Sequence, residues 1–193
     1  MMIKKITYVP TASSLKSLYD NSINDAIQRA TINVSSTFTF TSAAGTTITT
    51  NGSCFRKSGN AVTGNVDLEV IESYDNGSMA ITNKLTIDIN SRSKLEVLDS
   101  GGQYDVIVKQ NGIELTTTCN IPIKAPTSLT GGTKTGMQPF KGSTDANGDL
   151  TWEVVPLAEV WFTNSPDTYN SVLSSFGFFN FDKLEMIQDQ KHL

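Results

Sequence analysis

The chain has 193 residues, of which 18% are charged, and a formal net charge of −4 with Lys and Glu interspersed. A chain of this length fits one domain and buries about 70% of its unfolded surface, so a metal or disulfide staple is not required. Without a basic stripe, direct nucleic-acid binding is not expected, and no run approaches the ~18 consecutive apolar residues of a membrane span.

After Lys4 and Lys5 the apolar stretch ITYV is stopped by Pro10, short of the 7–15 residues of a secretory signal, so the expectation is a chain that stays where it is made. Residues 13–30, SSLKSLYDNSINDAIQRA, set Leu15, Leu18, Tyr19, Ile23, Ala26, Ile27 and Ala30 at the spacing of one helix face. This predicts a short amphipathic helix, frayed around Asp20, Asn21 and Ser22, within an N-terminal arm spanning 1–30. Such a helix packs on its own domain or docks on a neighbouring subunit, and the pattern leaves both open.

From Thr31 the texture changes to β-branched and aromatic runs broken by Gly and Asn, which predicts antiparallel strands through a domain spanning 31–193. TINVSSTFTFTS places Phe38 and Phe40 on one face and Thr37, Thr39 and Thr41 on the other; GTTITTNG continues the pattern. AVTGNVDLEVIESYD sets Val66, Leu68 and Val70 against Asp67, Glu69 and Ile71. KLTIDIN, YDVIVKQNGIELTTTCNIPI and LTWEVV follow, and Asn111-Gly112 between DVIVKQ and IELTTT is a strong hairpin signal. Strands at this spacing predict a β-sandwich of Ig-like or Greek-key type, or a small barrel. Residues 125–150 read as a long Gly/Thr/Lys-rich surface loop. TWEVVPLAEVWFTN is strand-like, and SPDTYNSVLSSF reads as a short helix after Ser165-Pro166. FGFFNFDKLEM then gathers four of the nine phenylalanines, as either the last strand closing the sandwich or a plug for a partner. Closure is favoured, with Gly177 at the bend and Asn180 and Asp182 in a hydrogen-bonded turn.

Candidate chemistry is sparse. The single histidine, His192, sits next to the C-terminus, away from any packed scaffold, so Ser-His-Asp, Cys-His and His-metal schemes are not expected. Asp67, Glu69, Glu72 and Asp75 read more simply as the solvated side of one strand than as a hydrolytic carboxylate pair. GGTKTG at 131–136 lacks the Lys and Ser/Thr of a phosphate loop, with Met137 following instead. Asp145, Asn147 and Asp149 in DANGD space oxygens as calcium loops do, but the glycine falls too early and Pro156 occupies the bidentate position, so a turn is the better reading. Cys54 and Cys119 read as two small buried hydrophobes, a disulfide requiring that the mature protein end up outside a cell. No catalytic residue, metal site or cofactor is assigned.

TFTFT with GTTI, VTGNVDLEVIESYDNGSMAITNKLT, GGQYDVIVKQNGIEL, GMQPFKGSTDANGDLTW and the closing GFFNFD together resemble, in order and spacing over roughly 31–186, surface-type β-sandwich proteins of Bacteroidetes bacteria. The family often carries a cysteine where this chain has Phe181. Its members look like exported proteins, whereas the start of this sequence reads as having no signal peptide and no lipid-attachment cysteine. The resemblance therefore implies a non-enzymatic virion structural protein of a crAss-like phage, made in the host cytoplasm. An auxiliary or decorating capsid protein is the first expectation, with a ring or tail component, or a carbohydrate-binding adhesin of the bacterial cell, as alternatives. Its expected partners are the major capsid protein or other virion subunits, in many copies or as a homo-oligomer, without membrane or direct nucleic-acid contact. Leu15, Leu18, Tyr19, Ile23, Ile27, Met137 and Phe140 are the expected partner contacts. An adhesin would instead need exposed rings from Trp152, Trp161, Tyr74 and Tyr104.

Overall fold

The structure, a computed structural model, describes residues 10–81, 87–89, 95–144, 150–155, 161–164 and 167–184. Helix α1 (Ala12–Ala26) leads into β1 (Gln28–Asn33), β2 (Thr37–Thr41) and β3 (Thr47–Asn51); a 3-10 turn (Gly52–Cys54) then precedes β4 (Phe55–Lys57) and β5 (Asn60–Ala61). β6 (Asn65–Ser73) is followed by the short helix α2 (Asn76–Ile81), β7 (Ile87–Ile89) and the long β8 (Leu95–Gln110). β9 (Ile113–Glu114), β10 (Thr116–Thr117) and β11 (Ile121–Pro126) lead to β12 (Gln138–Thr144) and β13 (Leu150–Val154). The chain closes with β14 (Trp161–Asn164), β15 (Thr168–Leu173) and β16 (Gly177–Leu184).

The fold is mainly β, an antiparallel sandwich with one N-terminal helix. One sheet runs β1-β6-β8-β16-β12-β13, with β7 and β9 pairing on β8; the facing sheet runs β14-β15-β11-β3-β2, and β10-β4-β5 form a small third sheet. The chain passes repeatedly between the two main sheets, so most of its pairings are non-local. Alternation explains the core: Val66, Leu68 and Val70 of β6 and Tyr104, Val106 and Val108 of β8 point inward. They meet Ile48 of β3, Ile121 and Ile123 of β11, and Tyr169 and Leu173 of β15 in one buried cluster.

The phenylalanine-rich end closes this core. β16 lies between β8 and β12, with Phe179 and Phe181 facing inward and buried. The Phe181 ring sits 5.6 Å from that of Tyr104 and 5.8 Å from that of Tyr169, joining the two sheets. Here the sheets approach closely. A Cβ on Gly101 would lie 2.6 Å from the Tyr169 ring and 2.9 Å from the Phe181 carbonyl oxygen, so no larger residue fits at this bulge of β8 against β16. Asn180 and Asp182 belong to the strand, not to the expected turn. At the Asn111-Gly112 hairpin the φ angles are 53° and 75°, the left-handed pair that a type I′ turn requires.

Several expectations are corrected. The helix ends at Ala26, and Arg29 and Ala30 pair instead with Glu69 and Leu68 in β1. TINVSSTFTFTS is two strands in different sheets, divided after Asn33. The region read as a loop over 125–150 contains β12, an internal strand; the Pro139 carbonyl accepts from the Val155 amide at 3.0 Å, just past the end of β13, so the missing amide of Pro139 faces the end of that ladder and the pairing with β16 loses no donor. SPDTYNSVLSSF yields β15, where Tyr169, Ser171 and Leu173 alternate as buried residues, and strand-favouring Tyr and Val outweigh the Ser-Pro start signal. Cys54 and Cys119 are joined in a disulfide, with Cα atoms 5.6 Å apart and 65 residues of separation. It ties the 3-10 turn after β3 to the segment after β10, and a loop this long places its stabilisation near 4 kcal/mol on chain-entropy grounds.

Candidate functional site

Helix α1 is the element that the body leaves most accessible. Thr11 caps it, its side chain accepting from the Ser14 amide at 3.1 Å, while Lys16 and Asp20 form an exposed i,i+4 pair at 2.7 Å. No residue of the helix is buried, and Leu15 and Leu18 are 41% and 57% exposed. Tyr19, Ile23 and Ile27 are half-buried. The arm therefore seats one side on the body and presents Leu15 and Leu18 outward.

Ile23 helps line a small cleft of about 70 Å³ with Ile71, Ser73, Gln103, Asp105 and Phe178, on the face of the larger sheet opposite the core. Sequence reading missed these residues: Ile71, Gln103 and Asp105 stand at the outward positions of β6 and β8, where alternation alone predicts solvent. Further along the same face Asn180 and Asp182 are fully buried. The Ser100 hydroxyl accepts from the Gly102 amide at 3.1 Å and donates to Asn180 Oδ1 at 3.0 Å, and Asn180 Nδ2 donates to Asp182. These groups anchor the bent part of β8 to β16, a positioning role.

The other expected contacts separate by burial. Met137 is 3% exposed within the main core, and Phe140 is wholly buried against Trp152, with Leu150 and Phe178 packed around them. Both belong to this chain's own interior and are withdrawn as partner contacts. Asp145, Asn147 and Asp149 lie outside the described residues, and among the described residues no cluster of His, Cys, Asp and Glu can hold a metal ion. Trp152 and Tyr104 are buried and Tyr74 half-buried, so none is the open platform an adhesin needs; the Trp161 side chain lies outside the described residues.

The acidic residues of β6 have identifiable structural partners. Glu69 accepts from Lys109 at 2.7 Å and from Arg29 at 3.4 Å, and the Lys109 hydrogen bond holds its carboxyl below the usual range. Glu72 accepts from Gln28 at 2.9 Å, Ser42 at 2.8 Å, the Ala44 amide at 3.2 Å and the Tyr74 hydroxyl at 3.0 Å, clamping the β2–β3 turn to β6. Burial pushes the Tyr74 phenol well above its ordinary value, so Tyr74 remains a neutral donor. Asp75 caps α2, accepting from the Ser78 amide at 2.9 Å, and this bond holds its carboxyl low. Asp67 is exposed, accepting from Thr31 at 3.4 Å.

No protein-family model matches the chain, and no curated protein matches it. Among the described residues, no helix is long and apolar enough to cross a membrane.

Proposed function

We propose that this chain is a non-enzymatic structural protein of a bacteriophage virion, an auxiliary capsid protein that holds neighbouring shell subunits together. The observation that carries the reading is α1, a helix with an apolar stripe, no buried residue, and Leu15 and Leu18 turned outward. A folded body that holds such a helix at its margin is suited to handing it to a neighbour, where each leucine, already about half covered, gains roughly half of the 1.5–3 kcal/mol that full burial of an exposed leucine supplies. One such contact is weak alone. Repetition over a shell multiplies it, because each attachment raises the effective concentration of the next.

The resemblance to Bacteroidetes surface β-sandwiches supports a phage of such hosts, and the Cys54–Cys119 disulfide suits a particle that ends in an oxidising environment after lysis. The major capsid protein is the proposed partner, and the buried rings of Trp152 and Tyr104 argue against an adhesin built on them.

Peptide mass spectrometry of density-purified phage particles, beside the washed envelope of uninfected host cells, tests the reading. The chain is expected in particles at a fixed ratio to the major shell protein and absent from the envelope. A ratio of a few copies per particle would move it to a ring or tail. Recovery from the envelope alone would overturn the virion assignment.

A further inference from the structure

The strand β2 ends its sheet, and among the described residues no strand pairs with its second edge. Its sequence, Thr37-Phe38-Thr39-Phe40-Thr41, carries no charge and no proline. Natural proteins guard such edges with lysine, proline or bulges, and the edge strand β1 of the other sheet carries Arg29, engaged with Glu69 at 3.4 Å. The β2 edge has no such guard.

The hydrogen-bonding direction of this edge follows from its flanks. The Ser42 amide donates to the Thr46 carbonyl at 2.8 Å and the Gly52 amide donates to the Ser36 carbonyl at 3.2 Å, so the backbone groups of Ser36 and Ser42 point toward β3. Backbone groups alternate in direction along a strand. Those of Phe38 and Phe40 therefore also bond β3, while the N–H and C=O of Thr37, Thr39 and Thr41 point to the open side.

The strand also reads identically in both directions. Laid antiparallel on a second copy about a two-fold axis at Thr39, it sets Thr39 against Thr39, Thr37 against Thr41 and Phe38 against Phe40. The outward-pointing threonines are then the residues that exchange both hydrogen bonds, about six in all. The phenylalanines, half-buried where they pack on the core from the sheet margin, meet as aromatic cross-strand pairs. Periodicity, bond direction and side-chain pairing agree on one register. A strand of unrelated sequence would match the backbone but not the paired rings.

We propose that β2 is a homodimerisation edge, joining two copies of this chain into one continuous sheet through an isologous Thr37–Thr41 pairing. The contact uses up the edge on both copies, so association through it stops at two. The interface is small and the dimer correspondingly weak. This inference does not depend on the virion reading, since it concerns the isolated chain.

Sedimentation equilibrium of the purified, oxidised full chain, from micromolar to near-millimolar concentration, provides the test. A monomer–dimer equilibrium is expected, with no larger species. Thr39→Pro removes an amide donor that faces the open side and leaves the backbone ladder to β3 intact, losing there only the exposed hydroxyl bond to Thr49 at 3.1 Å; it is expected to abolish the dimer with at most a small drop in melting midpoint. Should the proline unfold the strand, Thr39→Lys, which places a charge opposite its own copy, is expected to weaken dimerisation at least tenfold. A wild-type chain that stays monomeric throughout, association that continues past two, or a dimer unaffected by Thr39→Lys would each overturn the proposal, the last pointing to another surface.

Discussion

Phe181 and Leu18 are both large apolar residues in amphipathic elements, yet Phe181 is wholly buried between two rings while Leu18 is 57% exposed. The first lies on a strand with neighbours on both edges and a second sheet across the core. The second lies on a helix whose residues the body nowhere fully covers. Apolar patterning thus has two consequences in one chain. In the sandwich it is consumed by folding, and in the arm it remains available for association.

The largest expected effect comes from breaking the buried side of this contrast. Phe181→Ala removes the ring that bridges Tyr104 of β8 and Tyr169 of β15, in a place where Gly101 already marks close sheet approach. A loss of about 3–5 kcal/mol is expected, read from urea unfolding of the oxidised chain. A loss below about 1 kcal/mol would mean that the two sheets are not tied at this point.

Next in size is the disulfide. Replacing Cys54 and Cys119 together by Ala is expected to cost about 2–4 kcal/mol, since the bridge closes a long loop between the 3-10 turn and the β10 segment. The same shift in urea midpoint should appear when the wild-type chain is unfolded with dithiothreitol. Coincident oxidised and reduced transitions would show that the bridge does not constrain the chain, and would remove one support for an oxidising final environment.

Legibility in the sequence followed the number of physical signals that coincided. β6 combined alternation with β-branched residues, and the Asn111-Gly112 hairpin combined turn chemistry with flanking strands, so both were readable. β12 was not, because Pro139 and Gly142 argue locally against a strand; pairing with β16 and burial of Phe140 decide the outcome from afar. β15 failed for a related reason: the Ser-Pro signal is local, whereas the alternating burial of Tyr169, Ser171 and Leu173 comes from the opposite sheet. Among the candidate contacts, Leu15 and Leu18 could be found from helical spacing. Met137 and Phe140 were misplaced with the loop that contained them. The cleft residues Ile71, Gln103 and Asp105 carried no signal at all, since strand alternation assigns their side to solvent and only the tertiary arrangement covers it.

The smallest expected effect on stability sharpens the comparison from the exposed side. Leu15→Ser with Leu18→Ser alters the two residues that α1 turns outward, and neither is part of the buried core. Their substitution leaves no cavity, and serine lowers helix propensity only slightly, so the unfolding midpoint is expected to move by no more than about 0.5 kcal/mol. Incorporation into particles should fall sharply in the same variant, because the apolar area lost is what a neighbouring subunit would cover. If the double change instead costs 2 kcal/mol or more in the isolated chain, the arm is packed on the body in solution and Leu15 and Leu18 are structural. If stability and incorporation are both unchanged, the arm is not the attachment element. Only the combination of an intact fold with lost incorporation assigns the exposed leucines to association, which is the distinction between the two apolar patterns of this chain.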